Sequence, residues 1–270
     1  KRPQDRISLS DSKSAFEKIV PSYYGEKTNK GEVAAGSTRV KNGDVVIACD
    51  HSSWRKEVFP QYKASRKKGR DSSSMDWTEV FRIINKVREE IRDNMPYKVI
   101  HVERCEADDI IGALTYETQE FGKFEPVMII SSDKDFIQLQ SHGHVIQWSP
   151  MFNKMIKEEN PRRYLFEHLL KGDSGDGVPN ANSHDDVFVT AARQTPMTKK
   201  AIDKYWDNRD DLESIMKPNV YRNFMRNAQM IDLENTPDGI REAAINKYEN
   251  YDYPARSNIL TYLIEHRMKM

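Results

Sequence analysis

The chain is poor in cysteine, in long apolar runs and in net charge, and each shortage closes off a class of protein. Two cysteines, Cys49 and Cys105, are too few for a disulfide framework, and their spacing suits no zinc site. A reducing cytosol is therefore the expected compartment. No stretch approaches the roughly 18 apolar residues that span a bilayer, and no secretory signal is visible, so no membrane partner is expected. Forty-two basic and 42 acidic side chains cancel, so net charge does not announce a nucleic-acid binder. Only segregation of the two signs along the chain could do so. The first residue is Lys1, not Met, and a segment upstream of it is expected.

What is present is patterned. Charged residues make up 31% of the chain and mean hydropathy is −0.79, yet the apolar residues recur periodically, which argues against disorder. A length of 270 residues allows one large α/β domain or a main domain with a smaller helical one. Residues 1–43, rich in Ser, Lys and Gly, predict no firm element. DVVIACD, 44–50, reads as a strand buried on both faces and ending on Asp50. DWTEVFRIINKVREEIRDN, 76–94, reads as a helix capped by Asp76, with Val80, Ile83, Ile84, Val87 and Ile91 on one face. YKVIHVE, EADDIIGALTYETQEFG and VMIISSD continue the alternation, so 44–148 predicts a doubly wound core with a mostly parallel central sheet flanked by helices. GHVIQWSPMFNKMIK, 143–157, reads as strand, turn, strand at that sheet's edge. From about 161 the pattern is helical, beginning with PRRYLFEHLLKG. The expected organisation is an α/β core over 1–160 and a helical region over 161–270.

Ligand chemistry in open parallel sheets gathers at the carboxyl ends of the strands. Three segments deliver acids there: Asp50, then Glu106, Asp108 and Asp109, then Asp133 and Asp135. Each has a plainer explanation taken singly. Acids in a helix's first turn are ordinary caps, and DKDF closes a strand as an Asx turn. Together they form a cluster whose mutual repulsion calls for divalent cations, and hard oxygen donors without a His or Cys set suit Mg²⁺ or Mn²⁺. Carboxylates around two such ions suggest phosphodiester hydrolysis.

The segregated charge lies just after Asp50. WRKEVFPQYKASRKKGR, 54–70, carries Arg55, Lys56, Lys63, Arg66, Lys67, Lys68 and Arg70 among Trp54, Phe59 and Tyr62. Lys63, Arg66, Lys67 and Arg70 share one helical face that suits phosphates, and Tyr62 is placed to stack on a base; the plainer alternative is a solvated basic face. LLKGDSGDGVPNA, 169–181, sets Asp173 and Asp176 among Gly172, Gly175 and Gly177, a loop suited to a phosphate or a monovalent cation. GDSG is not read as a serine-protease loop, because no partner His and Asp are evident. An EF-hand lacks its closing Glu. DKDF as a haloacid-dehalogenase phosphatase motif would carry Phe136 where that family has Thr or Val.

Taken in order, ACD, YKASRKK, CEADD, IISSDKDFIQL, IQWSPM, LLKGDSGDGVP and TPMTKKAIDKYW make the chain resemble the flap endonuclease-like 5′-nucleases, in particular the ribonuclease H branch of T4-type bacteriophages. These stretches run from about 44 to 206, and a weaker similarity continues through YDYPARSNILTYLIEH. The resemblance implies an Mg²⁺-dependent 5′-to-3′ exonuclease and flap endonuclease, with Mn²⁺ as a substitute, that removes RNA primers during lagging-strand replication. It implies a basic arch at about 54–76 and a helix–three-turn–helix motif that grips duplex DNA. By position it assigns Asp50, Glu106, Asp108 and Asp133 to a first ion and Asp135, Asp173 and Asp176 to a second, with Asp109 adjacent. Lys63, Arg66 and Lys67 would steer the scissile phosphate, and Arg55, Tyr62, Lys68 and Arg70 are expected to bind nucleic acid. The turn over 172–180, with Gly172, Gly175 and Gly177, would bind the duplex and hold K⁺, and Lys199 and Lys200 would contact phosphate. Flapped, forked or nicked DNA and RNA–DNA duplexes are the implied substrates, a single-strand-binding protein or sliding clamp the implied partners, a monomer the implied state, and the host cytoplasm the compartment for a phage protein.

Two departures stand out. The segment GDGVPNANSHDDVFVTAARQTP lengthens the family's turn. The family's first aspartate, at the end of an N-terminal strand, has only Asp11 as a counterpart here. A structure-specific DNA-binding protein with weak or lost catalysis is accordingly the alternative reading, and a haloacid-dehalogenase-type phosphatase the third.

Overall fold

The chain enters its first strand through Asp44 and Val45. The structure, a computed structural model, describes residues 44–120, 123–255 and 257–268, without the side chains of Lys67 and Lys68. Asp11 therefore lies outside the described residues. The elements in order are β1 (Val46–Cys49), α1 (Arg55–Val58), α2 (Ala64–Asp71), α3 (Trp77–Asn94), β2 (Lys98–His101), α4 (Ala107–Gln119), β3 (Val127–Ile130), a 3₁₀ helix (Asp135–Ser141), β4 (Val145–Ser149), β5 (Lys154–Ile156) and α5 (Pro161–Lys171). The helical half continues with α6 (Lys199–Asp207), α7 (Leu212–Ile215), α8 (Pro218–Ile231), α9 (Asp238–Glu249) and α10 (Ser257–Glu265).

Local chemistry sets many of these boundaries. Asp76 caps α3 by accepting from the amides of Thr78 and Glu79. Asn160 caps α5 by accepting from Arg163 N, Pro161 follows at a position that needs no amide, and Gly172 ends the helix at φ 67°. The strands pair as β1–β2, parallel, and as β3–β4, parallel, with β5 antiparallel at the edge. Among the described residues these are two small sheets rather than the single sheet expected over 44–148. Alternating apolar runs identify strands, but edge pairing depends on contacts distant in sequence.

The apolar face of α3 also departs from expectation. Ile83, Ile84 and Val87 are each about half exposed. This helix meets its described neighbours through polar side chains, Arg88 lying 3.3 Å from His101 and the Tyr262 hydroxyl donating to Glu90 at 2.7 Å.

The core lies where the two halves interlock. Ile100, Cys105, Ile110 and Ala113 pack with Ala244 of α9, and Ile129, Phe136, Leu139 and Val145 with Leu233. Trp54, Phe59 and Tyr62, from the basic stretch, join Phe166, Leu170 and Phe224. The long turn between α5 and α6 is held from α8. Asn223 Nδ2 donates to the carbonyls of Ala181 and Ser183, and Asn227 Nδ2 to those of Leu169 and Pro179 at 2.7 and 2.9 Å. Asn227 is fully buried. Asn227→Leu strands the Leu169 carbonyl and takes one of two donors from that of Pro179, which Arg226 Nη2 also reaches, and is expected to cost roughly 1–3 kcal/mol in urea unfolding; a loss under about 0.5 kcal/mol would show that other contacts hold the turn.

Candidate active site

Local hydrogen bonds fix each acidic segment in place. Asp50, just past β1, accepts from Ala107 N at 2.8 Å, which binds this strand end to the start of α4. Asp133 Oδ1 accepts from Asp135 N at 3.0 Å and tightens the exit of β3. Gln147, fully buried on β4, donates to the carbonyls of Ser131 and Asp133 and fixes that loop from behind. Asp173 Oδ1 accepts from the amides of Gly175 and Asp176 at 2.7 and 3.1 Å. Gly172 cannot be replaced without disruption, since a Cβ there would stand 2.4 Å from Val178 O. Gly177, at φ 74°, approaches Gln61 O, and Lys63 N donates to Asp176 O at 2.7 Å, so the Gly-rich loop is seated on the base of the basic stretch.

Asp108, Asp135, Asp173 and Asp176 line one cavity of about 10 Å³ together with Arg55 and Tyr62. A space of that size holds about one water or ion. An open cleft of about 430 Å³ adjoins it, lined by Asp133, Asp135, Tyr164, His168, Asp173 and Ser174. The electrostatics register this crowding. Burial, then the charge of Asp133, with Glu106 and Asp50 behind it, pushes the Asp108 carboxyl up to about 7. Burial, then Asp133, Asp173, Asp108 and Asp176, pushes Asp135 up to about 8. Glu106 behaves oppositely: burial would raise it, but Lys63, Arg55 and Ser53 hold it below its ordinary value.

Lys63 is turned inward, onto the acidic cluster. Its backbone sits at φ 55°, and its ammonium pairs with Glu106 and, at 3.2 Å, with Asp176. Arg66 pairs with Asp176 as well. Carboxylates that draw a lysine between them form a donor set that accepts a cation, and the ammonium stands where positive charge is needed. The residues thus fit divalent ions. Arg70 is half-buried, and Lys199 and Lys200 are exposed at the start of α6.

Three expected ligand or DNA contacts are instead structural. Asp109, with no exposed surface, accepts from Glu106 N, Trp54 Nε1, Arg55 and Thr236 Oγ1, leaving no free direction for an ion. Arg55 is 2% exposed, wedged between Glu106 and Asp109, and cannot reach a phosphate. Tyr62 is 3% exposed, its hydroxyl 2.7 Å from Asp176 Oδ2 and 2.9 Å from Glu106 Oε2, so its ring is not free to stack on a base. One group escaped the sequence reading. His168, on the last turn of α5, places Nδ1 3.6 Å from Asp135 Oδ1 and Nε2 3.9 Å from Asp173 Oδ2. Burial lowers its proton affinity, against the pull of Asp173. Its only signal is its position one helical turn before Gly172.

Residues 33–166 match the family model for the 5′-3′ exonuclease N-terminal resolvase-like domain, and residues 161–270 that for the T4 RNase H C-terminal region. The chain is 31% identical to Ribonuclease H of Enterobacteria phage T4 over 82% of its own length and 74% of that protein's. It is 28% identical to a 5′-3′ exonuclease of Buchnera aphidicola over 50% of this chain and 47% of that one. Its fold matches a bacteriophage T5 D15 flap endonuclease solved as a complex with DNA and metal ions, with a TM-score of 0.58 at 14% identity, covering 89% of each chain. The chain therefore belongs to the 5′-3′ exonuclease family, alongside T4 ribonuclease H. Membership sets aside the phosphatase reading of DKDF. No helix among the described residues is long and apolar enough to cross a membrane.

Proposed function

We propose that this nuclease is an Mg²⁺-dependent 5′-to-3′ exonuclease and flap endonuclease acting on flapped or nicked DNA and RNA–DNA duplexes, and that it removes RNA primers during lagging-strand replication. The observation that carries this reading is the convergence of Asp108, Asp135, Asp173 and Asp176 on one cavity, with Lys63 and Arg66 already paired to its rim. In this reading Asp50, Glu106, Asp108 and Asp133 hold one ion and Asp135, Asp173 and Asp176 the other. When bound, the ions supply Lewis acidity at the scissile phosphate and lower the pKa of water beside it.

The protein's own groups do the rest. Lys63 and Arg66, exchanging their carboxylate partners for the incoming phosphate, orient it and offset its developing charge. Arg70, Lys67, Lys68, Lys199 and Lys200 supply further positive charge along the duplex, making binding fall steeply with salt. The 172–180 turn approaches the backbone and is suited to K⁺. A single-strand-binding protein or sliding clamp would complete the replicative setting, with the nuclease acting as a monomer in the cytoplasm.

A 5′-labelled flap and an RNA-primed duplex, incubated with Mg²⁺, should each release short labelled products, and EDTA should abolish the release. Lys63→Ala should slow single-turnover cleavage by roughly 10²–10³-fold. Tight binding to forked DNA with no cleavage under any divalent metal would instead support the alternative of a binding protein without catalysis.

A further inference from the structure

We propose that His168 is a nitrogen ligand in the second ion position, which makes that position a mixed site preferring Mn²⁺ or another borderline cation over Mg²⁺. The inference rests on reading the acidic cluster as a divalent-ion site. It adds a donor that the carboxylate pattern does not contain.

Three side chains, those of Asp135, His168 and Asp173, converge there. Asp173 uses Oδ1 for the amides of Gly175 and Asp176, and no described protein donor engages its Oδ2, the oxygen that faces His168. Asp135 donates its backbone amide to Asp133, while its carboxylate accepts no hydrogen bond from the described residues. The imidazole nitrogens stand 3.6 and 3.9 Å from these two carboxylates, farther than a hydrogen bond reaches. One donor atom from each of Asp135, His168 and Asp173 lies within 4.8 Å of the other two. Donors bound at about 2.0–2.2 Å around a common ion stand roughly 3–4 Å apart, so a modest inward movement closes the triangle. The ring has a fixed approach. It sits on the rigid last turn of α5, edge-on to Tyr164 at 6.2 Å between centroids, and only 17% of its side-chain surface is exposed.

The same three residues border the open cleft of about 430 Å³, which gives an ion and its remaining waters a route in. Imidazole suits Mn²⁺, Co²⁺ and Zn²⁺ better than Mg²⁺, whose preference is for oxygen donors. An all-carboxylate position would show no such bias.

Electron spin-echo envelope modulation on the tag-free, full-length protein loaded with Mn²⁺ tests this directly. Wild type should show the coupling of a directly bound imidazole ¹⁴N, replaced by the ¹⁵N pattern when histidine is isotopically labelled. Calorimetry should find Mn²⁺ bound at least about 10-fold more weakly by His168→Asn, with Mg²⁺ affinity changed less. Two Mn²⁺ ions bound without imidazole coupling would overturn the assignment of His168 and leave the nuclease reading intact. Failure of wild type to bind any divalent ion would overturn both. The labelling experiment needs no substitution, so the outcome does not depend on the variant folding.

Discussion

Asp135→Asn should raise the melting temperature of the metal-free protein at pH 8.5 while removing most of its metal-dependent cleavage. The Asp135 carboxyl is pushed from an ordinary value near 3.8 up to about 8 by burial and by the charges of Asp133, Asp173, Asp108 and Asp176. A folded-state pKa above the unfolded one means that the folded protein holds this proton more tightly. The resulting stabilisation is complete below about pH 3.8 and is lost as pH rises through about 8. Asp108, raised to about 7, acts in the same direction. Metal-free wild type should therefore lose stability steadily between pH 5 and 8.5, and the neutral amide of the variant should flatten that slope. About 1 kcal/mol of relief corresponds to a rise of roughly 2–4 °C in a chain of this size. Divalent ions compete with those protons, so the thermal shift they produce in wild type should grow with pH and shrink in the variant. Cleavage should fall by roughly 10²–10³-fold or more. Differential scanning fluorimetry in EDTA across the pH range checks the first half, and a variant melting below wild type at pH 8.5 would refute the repulsion argument.

Much of this site was legible in one dimension, for a physical reason. Acids at the ends of apolar strands, at the start of α4 and in a Gly-rich turn are local patterns. The capping and crossover rules that predict those elements also predict where their ends gather. Asp108, Asp135, Asp173 and Asp176 do meet. What was not legible is which members of a charged run face inward. The i, i+3, i+4 spacing placed Lys63 with Arg66 on one helical face aimed at phosphates, but Lys63 precedes α2 at positive φ and turns toward Glu106. EADD offered Glu106 and Asp109 as equals of Asp108, yet Asp109 is consumed by Arg55, Trp54 and Thr236, a partner 127 positions away. His168 carried only its position one helical turn before Gly172. Its role depends on the distance between α5 and the exit of β3, which no spacing rule encodes. The apolar stripe of α3 shows the converse limit, since periodicity identifies a face without identifying what covers it.

Arg55→Ala should destabilise the protein by about 3–5 kcal/mol, a large share of the roughly 5–15 kcal/mol that holds a domain folded. The guanidinium is 2% exposed and each of its nitrogens is used. Nε donates to Met230 O at 2.7 Å, Nη1 to Glu106 Oε2 and Asp109 Oδ2 at 3.0 Å each, and Nη2 lies 2.8 Å from Asp109 Oδ1. It also lies over the Trp54 ring at 4.7 Å. One side chain thereby joins β1's exit, the first turn of α4 and the end of α8. Truncation leaves Asp109 buried as an uncompensated charge, which costs far more than the pair gains over apolar replacements. Arg55→Lys should recover only part of the loss, because an ammonium cannot span both carboxylates and the Met230 carbonyl in one plane. The partner charge supplies the decisive control. Arg55→Met combined with Asp109→Leu removes both ions and should recover much of the stability lost on truncating the arginine alone. Urea midpoints for the single and double variants measure the coupling, and an Arg55→Ala loss below about 1 kcal/mol would show that solvent reaches this pair. Because Arg55 also pairs with Glu106, which holds the first ion in the proposed reading, part of the turnover should be lost in the fraction that remains folded; a selective loss of turnover at unchanged stability would return Arg55 to the substrate-binding role that the sequence suggested.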